Sequence, residues 1–97
     1  MRLEDILKET DKPVLLQFFA EWCAPCKMLS RVIDDAIDVI TEEVALKRID
    51  VDVDSDIAAE FYVRAVPTMI LVNQSGDILW KHTGVMAAQD ILREIKR

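Results

Sequence analysis

Apolar residues recur along this chain either at the spacing of a helix or at the spacing of a strand. The changes from one spacing to the other predict the order of helices and strands. Leu3, Ile6 and Leu7 fall on one helical face, which predicts a short first helix. The run from Val14 to Phe19 is apolar except at Gln17. Such a run is typical of a strand that is covered on both faces.

A longer amphipathic stretch begins near Cys26, with charged residues on the side opposite its apolar positions. Those apolar positions are Leu29, Val32, Ile33, Ala36, Ile37 and Ile40. We therefore predict one continuous helix that ends near residues 41 to 43.

Apolar residues alternate with aspartates over residues 49–54, which predicts a half-exposed strand that lies near residues 46–53 and continues to Val53. Asp54 or Ser55 can cap the helix that follows. The predicted buried face of that helix consists of Ile57, Ala58, Phe61 and Tyr62.

Two strands, over Thr68–Val72 and residues 78–82, are predicted to form a hairpin around the turn at residues 73–77. A final helix follows, with an inner face of Ala88, Ile91, Leu92 and Ile95. The resulting order, α-β-α-β-α-β-β-α, has no repeat and no linker. It predicts an α/β fold, with a mixed four-stranded sheet flanked by helices on both faces, as one domain over residues 1–97.

The composition limits the classes of partner. The 97 residues carry a formal net charge of -6 with no basic patch, which disfavours binding to nucleic acid or to an anionic membrane. The first residues are charged where a signal peptide needs an apolar run, and no stretch approaches the roughly 20 apolar residues of a membrane span. We therefore expect a cytoplasmic monomer.

Cys23 and Cys26 are the only cysteines, and their C-x-x-C spacing lies where a predicted strand runs into a predicted helix. The positive end of the helix dipole and its free N–H groups favour a thiolate there. Pro25 suits the first turn of a helix, because its missing N–H costs nothing at that position. The arrangement predicts Cys23 as the nucleophile and Cys26 as the resolving thiol.

Two simpler interpretations of the cysteine pair are weaker. The cysteines could be buried apolar residues, or they could be half of a zinc site. A zinc site of the usual kind needs four ligands, and the only other candidate of that type is His82, which is distant in sequence. The position of the pair at a helix start, with Pro25 between its members, favours redox chemistry.

The segment Ala-Glu-Trp-Cys-Ala-Pro-Cys-Lys-Met closely resembles the active-site segment of the thioredoxin family, with Ala24 where most members have glycine. Val66-Pro67-Thr68 resembles the cis-proline loop that the family packs against its dithiol. Residues 48–52 resemble the family's Lys-Val-Asp-Val-Asp strand, and Gly84 falls near a late glycine of the family. The resemblance extends from about residue 14 to the C-terminus.

This resemblance implies a thioredoxin fold and a thiol–disulfide oxidoreductase that reduces protein disulfides. The first strand of the family is expected to be absent, since the residues before Pro13 are predicted to be helical. A thioredoxin reductase is the implied electron donor, and no bound cofactor or metal is expected because the Cys23–Cys26 disulfide is the redox group. The alternatives are a thioredoxin-fold binding module in a larger complex, and a thiol oxidase or isomerase.

The resemblance also implies an apolar rim that binds the substrate chain largely through the backbone of Val66. The rim comprises Trp22, Ala24, Pro25, Val66, Pro67 and Gly84. A proline at position 67 lacks an N–H that would otherwise need a partner, which leaves the Val66 backbone free. Two further aromatic residues, Tyr62 and Trp80, are predicted to be packing residues.

Three residues depart from the family pattern. Gln17 stands where most thioredoxins bury an aspartate that helps to move the proton of the resolving cysteine, and glutamine cannot accept a proton at neutral pH. Arg48 replaces the lysine that usually accompanies that aspartate, so we expect Gln17 and Arg48 to modulate the dithiol. The proton of Cys26 must then pass to water, to the leaving thiolate or to a residue such as Glu21. Arg31 replaces a proline that kinks the active-site helix, which predicts a straighter helix.

Overall fold

Four strands form a single mixed sheet in the computed structural model of the chain, which describes residues 1–97. The elements are α1 (Leu3–Leu7), β1 (Val14–Phe19), α2 (Ala24–Asp35), α3 (Ile37–Glu43), β2 (Ala45–Asp50), α4 (Ser55–Glu60), β3 (Thr68–Val72), β4 (Ile78–Thr83) and α5 (Ala88–Ile95). The sheet order is β2-β1-β3-β4, with β1 parallel to β2 and antiparallel to β3, and with β3 antiparallel to β4. The predicted mixed sheet is confirmed, and so is a helix rather than a strand before β1.

Side chains of β1 divide the hydrophobic core into two layers. Val14, Leu16 and Phe18 face the layer that is closed by α1 and α4. Leu15 faces the other layer, which is closed by α2, α3 and α5. Because successive side chains of a strand point to opposite faces, Gln17 shares the α2 side with Leu15. None of the helices is long and apolar enough to span a membrane.

The helix that was predicted to be continuous is two helices, α2 and α3, which meet at Ala36. α2 passes through Arg31 without interruption, but Ala36 adopts φ −115° and ψ 17°, outside the helical region. Ile33 before the break and Ile40 after it still pack in the same core layer. The apolar spacing was therefore informative, whereas neither proline nor glycine marks the break in the sequence.

The strand that was predicted to continue to Val53 ends at Asp50. The Asp50 carboxylate accepts the N–H of Asp52 at 2.9 Å, and the Asp50 carbonyl accepts the N–H of Asp54 at 2.8 Å. These bonds turn the chain, so Val53 lies outside β2 with 75% of its surface exposed, and the predicted continuation of the strand to Val53 is wrong. Asp54, one of the two predicted capping residues, is the N-cap of α4, but its side chain makes no capping hydrogen bond.

Tyr62 was predicted to pack against the core and is instead 74% exposed. α4 ends in a pair of bonds in which the N–H of Tyr62 donates to the Ala59 carbonyl and the N–H of Val63 donates to the Ala58 carbonyl. This is the Schellman arrangement, in which the residue after the cap takes a left-handed conformation and is usually glycine. Tyr62 takes that conformation here, with φ +55°.

The hairpin turn between β3 and β4 lies where the sequence predicted it. The side-chain oxygen of Asn73 accepts the N–H groups of Ser75 and Asp77, at 3.0 and 2.9 Å. Gly76 follows in the turn with φ +84°, a conformation that glycine adopts without steric cost. Because Pro67 precedes β3 and this turn follows it, the two loops lie at opposite ends of the strand.

Replacing Tyr62 by glycine should stabilise the fold. The side chain is largely exposed, so little packing is lost, while the left-handed conformation costs a non-glycine residue about 1–2 kcal/mol. The greater freedom of glycine in the unfolded chain offsets part of that gain, which leaves about 0.5–1 kcal/mol. Urea denaturation should show a higher midpoint for Tyr62→Gly than for wild type. Tyr62→Ala, which removes the ring but keeps the strain, should show no such increase, and equal midpoints for both variants would contradict the explanation.

Candidate active site

Cys23 and Cys26 form a disulfide at the N-terminus of α2, with their Cα atoms 5.3 Å apart. Cys23 is the N-cap residue, and its Sγ accepts the N–H of Cys26 at 3.1 Å. Pro25 lies in the first turn of the helix, as predicted. Both cysteines are nearly buried, with exposed fractions of 4% for Cys23 and 2% for Cys26. A sulfur at this N-cap meets a free N–H and the positive end of the helix dipole, both of which stabilise a thiolate.

The loop before β3 lies against Cys23. The peptide bond between Val66 and Pro67 is cis, as the resemblance implied. The Sγ of Cys23 lies 3.7 Å from the carbonyl oxygen of Val66. The structure therefore brings together the two sequence motifs, which lie more than 40 residues apart.

Hydrogen bonds on both sides anchor this loop. The hydroxyl of Thr68 donates to the Ala65 carbonyl at 2.7 Å and lies 3.0 Å from the Thr83 hydroxyl, which donates to it. The N–H of Gly84 donates to the Pro67 carbonyl at 2.9 Å. Neither the N–H nor the carbonyl of Val66 has a backbone partner within the chain, so both groups are available to an incoming chain.

Trp22 stands beside the dithiol with 72% of its surface exposed. Its indole Nε1 donates to the carboxylate of Asp52 at 2.9 Å, which orients the ring. A groove of about 130 Å³ runs from this ring to the proline loop. Its lining residues are Trp22, Val51, Val63, Arg64, Ala65 and Val66.

The remaining predicted rim residues adjoin this groove or the dithiol. Ala24 and Pro25 are exposed next to Cys23, at the start of α2. Gly84 follows β4, where its bond to Pro67 places it beside the loop. Gly84 has φ +106°, a left-handed conformation that favours glycine. Ala24, Pro25 and the proline loop therefore lie next to Cys23, with Pro67 buried and Gly84 beside the loop, and the use of these residues as a substrate rim stays a prediction.

Gln17 lies fully buried beneath α2, with both ends of its amide engaged. Its Nε2 donates to the Ser30 hydroxyl at 3.0 Å, and its Oε1 accepts from Arg48 Nε at 2.9 Å. Arg48 also donates to the Asp34 carboxylate at 2.7 Å. Gln17 and Arg48 were singled out from the sequence as a pair, and they are in direct contact. A buried amide with both groups bonded carries no desolvation penalty for an unpaired polar atom.

A second hollow lies on the Cys26 side of the site. It is a cleft of about 350 Å³, and it shares no lining residue with the groove beside Trp22. The residues that line it are Phe19, Ala20, Glu21, Cys26, Lys27, Ser30 and Arg31. The two cysteines thus differ in their surroundings, because Cys23 faces the proline loop and Cys26 faces this charged cleft.

Several residues of the site were not identified from the sequence. They are Ser30, which bonds to Gln17; Asp34, which bonds to Arg48; Asp52, which bonds to Trp22; and Thr83, which bonds to Thr68 of the predicted proline loop. Ser30 offered a signal, since it lies four residues after Cys26 and hence on the same face of α2. Trp80, predicted as packing, is partly buried against the α2-side core and stacks on His82 with a centroid distance of 6.0 Å.

Comparison with known proteins supports the resemblance to the thioredoxin family. The family model described as Thioredoxin matches residues 2–97. The bifunctional thioredoxin reductase/thioredoxin of Mycobacterium leprae is 35% identical over 91 residues, which are 94% of this chain and 19% of that protein. Thioredoxin Y2, chloroplastic, of Arabidopsis thaliana is 28% identical over 96% of this chain and 55% of its own length. Thioredoxin 1 of Chlorobaculum tepidum is also 28% identical, over 96% of this chain and 91% of its own length.

The chain thus spans only a fifth to about half of the first two of these relatives, and nearly all of the third. Among solved structures, thioredoxin-2 of a malaria parasite superposes with a TM-score of 0.81 at 28% identity, over 88% of this chain and 82% of that one. Chloroplastic thioredoxin z superposes with a TM-score of 0.82 at 24% identity, over 97% of this chain and 84% of that one, and shares the fold. With its cysteine pair at the start of α2, its cis-proline loop and a family match over nearly its whole length, the chain belongs to the thioredoxin family.

Proposed function

We propose that this chain is a thiol–disulfide oxidoreductase that reduces disulfides of other proteins. The observation that carries the proposal is the Cys23–Cys26 disulfide at the N-terminus of α2, with the Cys23 sulfur at the helix cap. That position favours the thiolate, which is the reactive form of cysteine. Because the dithiol itself accepts and donates the electrons, the reaction requires no bound cofactor.

The reaction proceeds in two exchange steps. The Cys23 thiolate attacks one sulfur of the substrate disulfide, and the other substrate sulfur leaves as a thiolate. This step joins Cys23 to the substrate in a mixed disulfide. The Cys26 sulfur then attacks the Cys23 sulfur, which releases the substrate as a dithiol and forms the Cys23–Cys26 disulfide. Two electrons pass to the substrate in each cycle.

The rim is proposed to hold the substrate chain next to Cys23. The unpaired N–H and carbonyl of Val66 support this role, because an extended peptide can bond to both in the manner of an added strand. Trp22, Ala24, Pro25, Pro67 and Gly84 supply the apolar surroundings. Since the polar contacts go to the backbone, we propose broad substrate selectivity.

A thioredoxin reductase is the proposed electron donor. The relative from Mycobacterium leprae, whose name joins thioredoxin reductase with thioredoxin, supports this pairing. A reducing compartment such as the cytoplasm suits reduction of disulfides. The direct test is reduction of a protein disulfide by this chain in the presence of NADPH and a thioredoxin reductase. Failure of the wild-type chain to accelerate that reduction would refute the proposal.

Serine variants of the two cysteines separate their roles. Cys23→Ser should abolish turnover, because no thiolate remains at the helix cap. Cys26→Ser should still attack the substrate and then accumulate the mixed disulfide, since nothing resolves it. Mass spectrometry of each variant after incubation with substrate measures the adduct. An adduct on Cys23→Ser and none on Cys26→Ser would reverse the assignment.

Gly84→Ala should weaken substrate binding, because a side chain at φ +106° forces the backbone to shift and disturbs its bond to the Pro67 carbonyl. We expect a stability loss of about 1–3 kcal/mol and a raised KM for protein disulfides. Gly76→Ala is the matched control, since Gly76 has φ +84° in the turn at the far end of β3. That variant should lose stability and keep the wild-type KM. A wild-type KM for Gly84→Ala would remove Gly84 from the rim.

Gln17→Asp should place a titrating carboxylate under α2 and couple it to the thiols. The pH profile of the resolution step should then gain an ionisation that wild type lacks. Gln17→Asn is the matched control, because asparagine has the size of aspartate without its charge. Both variants should lose about 1–3 kcal/mol of stability, since a shorter side chain cannot reach both Ser30 and Arg48. Identical stopped-flow profiles for the Asp and Asn variants would show that position 17 does not influence the thiols.

A further inference from the structure

Cys26 must lose a proton before its sulfur can attack, yet it is almost entirely buried. Of the hollows on the surface, only the cleft of about 350 Å³ on the α2 side is lined by Cys26. This cleft is therefore the route that we assign to a proton leaving Cys26. The question is which group along that route receives it.

Elimination among the lining residues leaves one acceptor. Lys27 and Arg31 are cations and have no free lone pair for a further proton. The hydroxyl of Ser30 can pass a proton on but does not retain it. The side chains of Phe19 and Ala20 are apolar and cannot accept a proton. Glu21 is the remaining member, and it is the only lining residue whose side chain is a base.

The buried amide beneath the cleft does not compete with this carboxylate. The Oε1 of Gln17 already accepts a hydrogen bond from Arg48, and its Nε2 is a donor. Because Ser30 accepts the Nε2 bond from Gln17, the hydroxyl proton of Ser30 can point elsewhere, and Ser30 itself lines the cleft. The residues under the dithiol thus supply no base.

The thiolate that the substrate releases also lies away from the cleft beside Cys26. The Cys23 sulfur faces the Val66 carbonyl at 3.7 Å, on the side of the groove that Trp22 borders. That groove has no lining residue in common with the Cys26 cleft. A substrate sulfur attached to Cys23 therefore leaves on the side of the proline loop, while the proton of Cys26 leaves on the other side.

We propose that the carboxylate of Glu21 accepts the proton of Cys26 through this cleft during resolution of the mixed disulfide, an inference that rests on the proposed function. The S–H bond of Cys26 breaks, and its proton passes to the Glu21 carboxylate. The freed electron pair forms the Cys26–Cys23 bond, and the bond from Cys23 to the substrate sulfur breaks, with its electron pair leaving on the substrate thiolate. Glu21 then releases the proton to solvent, where the substrate thiolate or water takes it up. Lys27 and Arg31, which border the cleft, stabilise the negative charge on the Cys26 sulfur.

The test separates attack from resolution in one experiment. Reduced protein is mixed in a stopped-flow instrument with one equivalent of the symmetrical disulfide of thionitrobenzoate, a chromogenic thiol. Attack by Cys23 releases the first thionitrobenzoate, and resolution by Cys26 releases the second. The variants are Glu21→Gln, which removes the base, and Glu21→Asp, which shortens it. Glu43→Gln is the control, with the same change in charge at an exposed position at the end of α3.

At pH 7 we expect the second phase of Glu21→Gln to slow by about 100-fold, the lower end of what a positioned general base contributes, with an unchanged first phase. Glu21→Asp should recover part of the rate, and Glu43→Gln should match wild type. Because the cleft is open, added imidazole should speed the second phase of Glu21→Gln in proportion to its concentration and leave wild type unaffected.

Two results would overturn the assignment of Glu21. One is a second phase in Glu21→Gln as fast as in wild type. The other is a slow second phase that neither imidazole nor Glu21→Asp restores, which would indicate a role other than proton transfer. Failure of the proposed function itself looks different, since NADPH-dependent reduction of protein disulfides by the wild-type chain would then be absent while both phases of thionitrobenzoate release could persist.

Discussion

The central position of β1 determines where every part of the site lies. β1 pairs with β2 on one side and with β3 on the other, so its C-terminal end lies among the ends of both neighbours. The parallel strand β2 ends on the same side and leads to Asp52, which holds Trp22. The antiparallel strand β3 begins there, directly after Pro67. The pairing of these strands in one sheet therefore brings together segments that are distant in the sequence. Burial of the apolar side chains of β1 maintains the register of that pairing.

The dithiol needs this rigidity because its chemistry depends on the start of a helix. Within a few residues the chain passes from the buried strand β1 to α2, and the sulfur of Cys23, the N-cap residue, accepts the N–H of Cys26 in the first turn of the helix. A loosely held helix start would not keep an N–H directed at the sulfur. Anchoring of the opposite loop by Thr68 and Gly84 has the same effect on Val66, whose backbone groups stay unpaired and in place.

The apolar spacing located the strands and the core faces, whereas two local features, the turn after Asp50 and the left-handed end of α4, were not predicted, nor was the break between α2 and α3. The spacing is informative because burial of many side chains enforces it. Val53 and Tyr62 also matched the spacing, but the Asp50 turn and the left-handed end of α4 point both residues to solvent. Local backbone bonds outweighed one apolar side chain in each case. Contacts such as Trp22 with Asp52 join segments 30 residues apart, so no local pattern in the sequence could reveal them.

The groove beside Trp22 and the cleft beside Cys26 are separate, and this separation explains how an amide can stand at position 17 in place of a carboxylate. A buried carboxylate at this position would have to be neutralised or paired, whereas Gln17 satisfies Ser30 and Arg48 without adding charge to the core. In the proposed mechanism, proton exchange occurs in an open cleft on the Cys26 side, while the proposed substrate contacts lie on the side of Val66. With the two tasks in hollows that share no residue, changes in substrate preference need not alter proton transfer, and changes around Cys26 need not alter substrate binding.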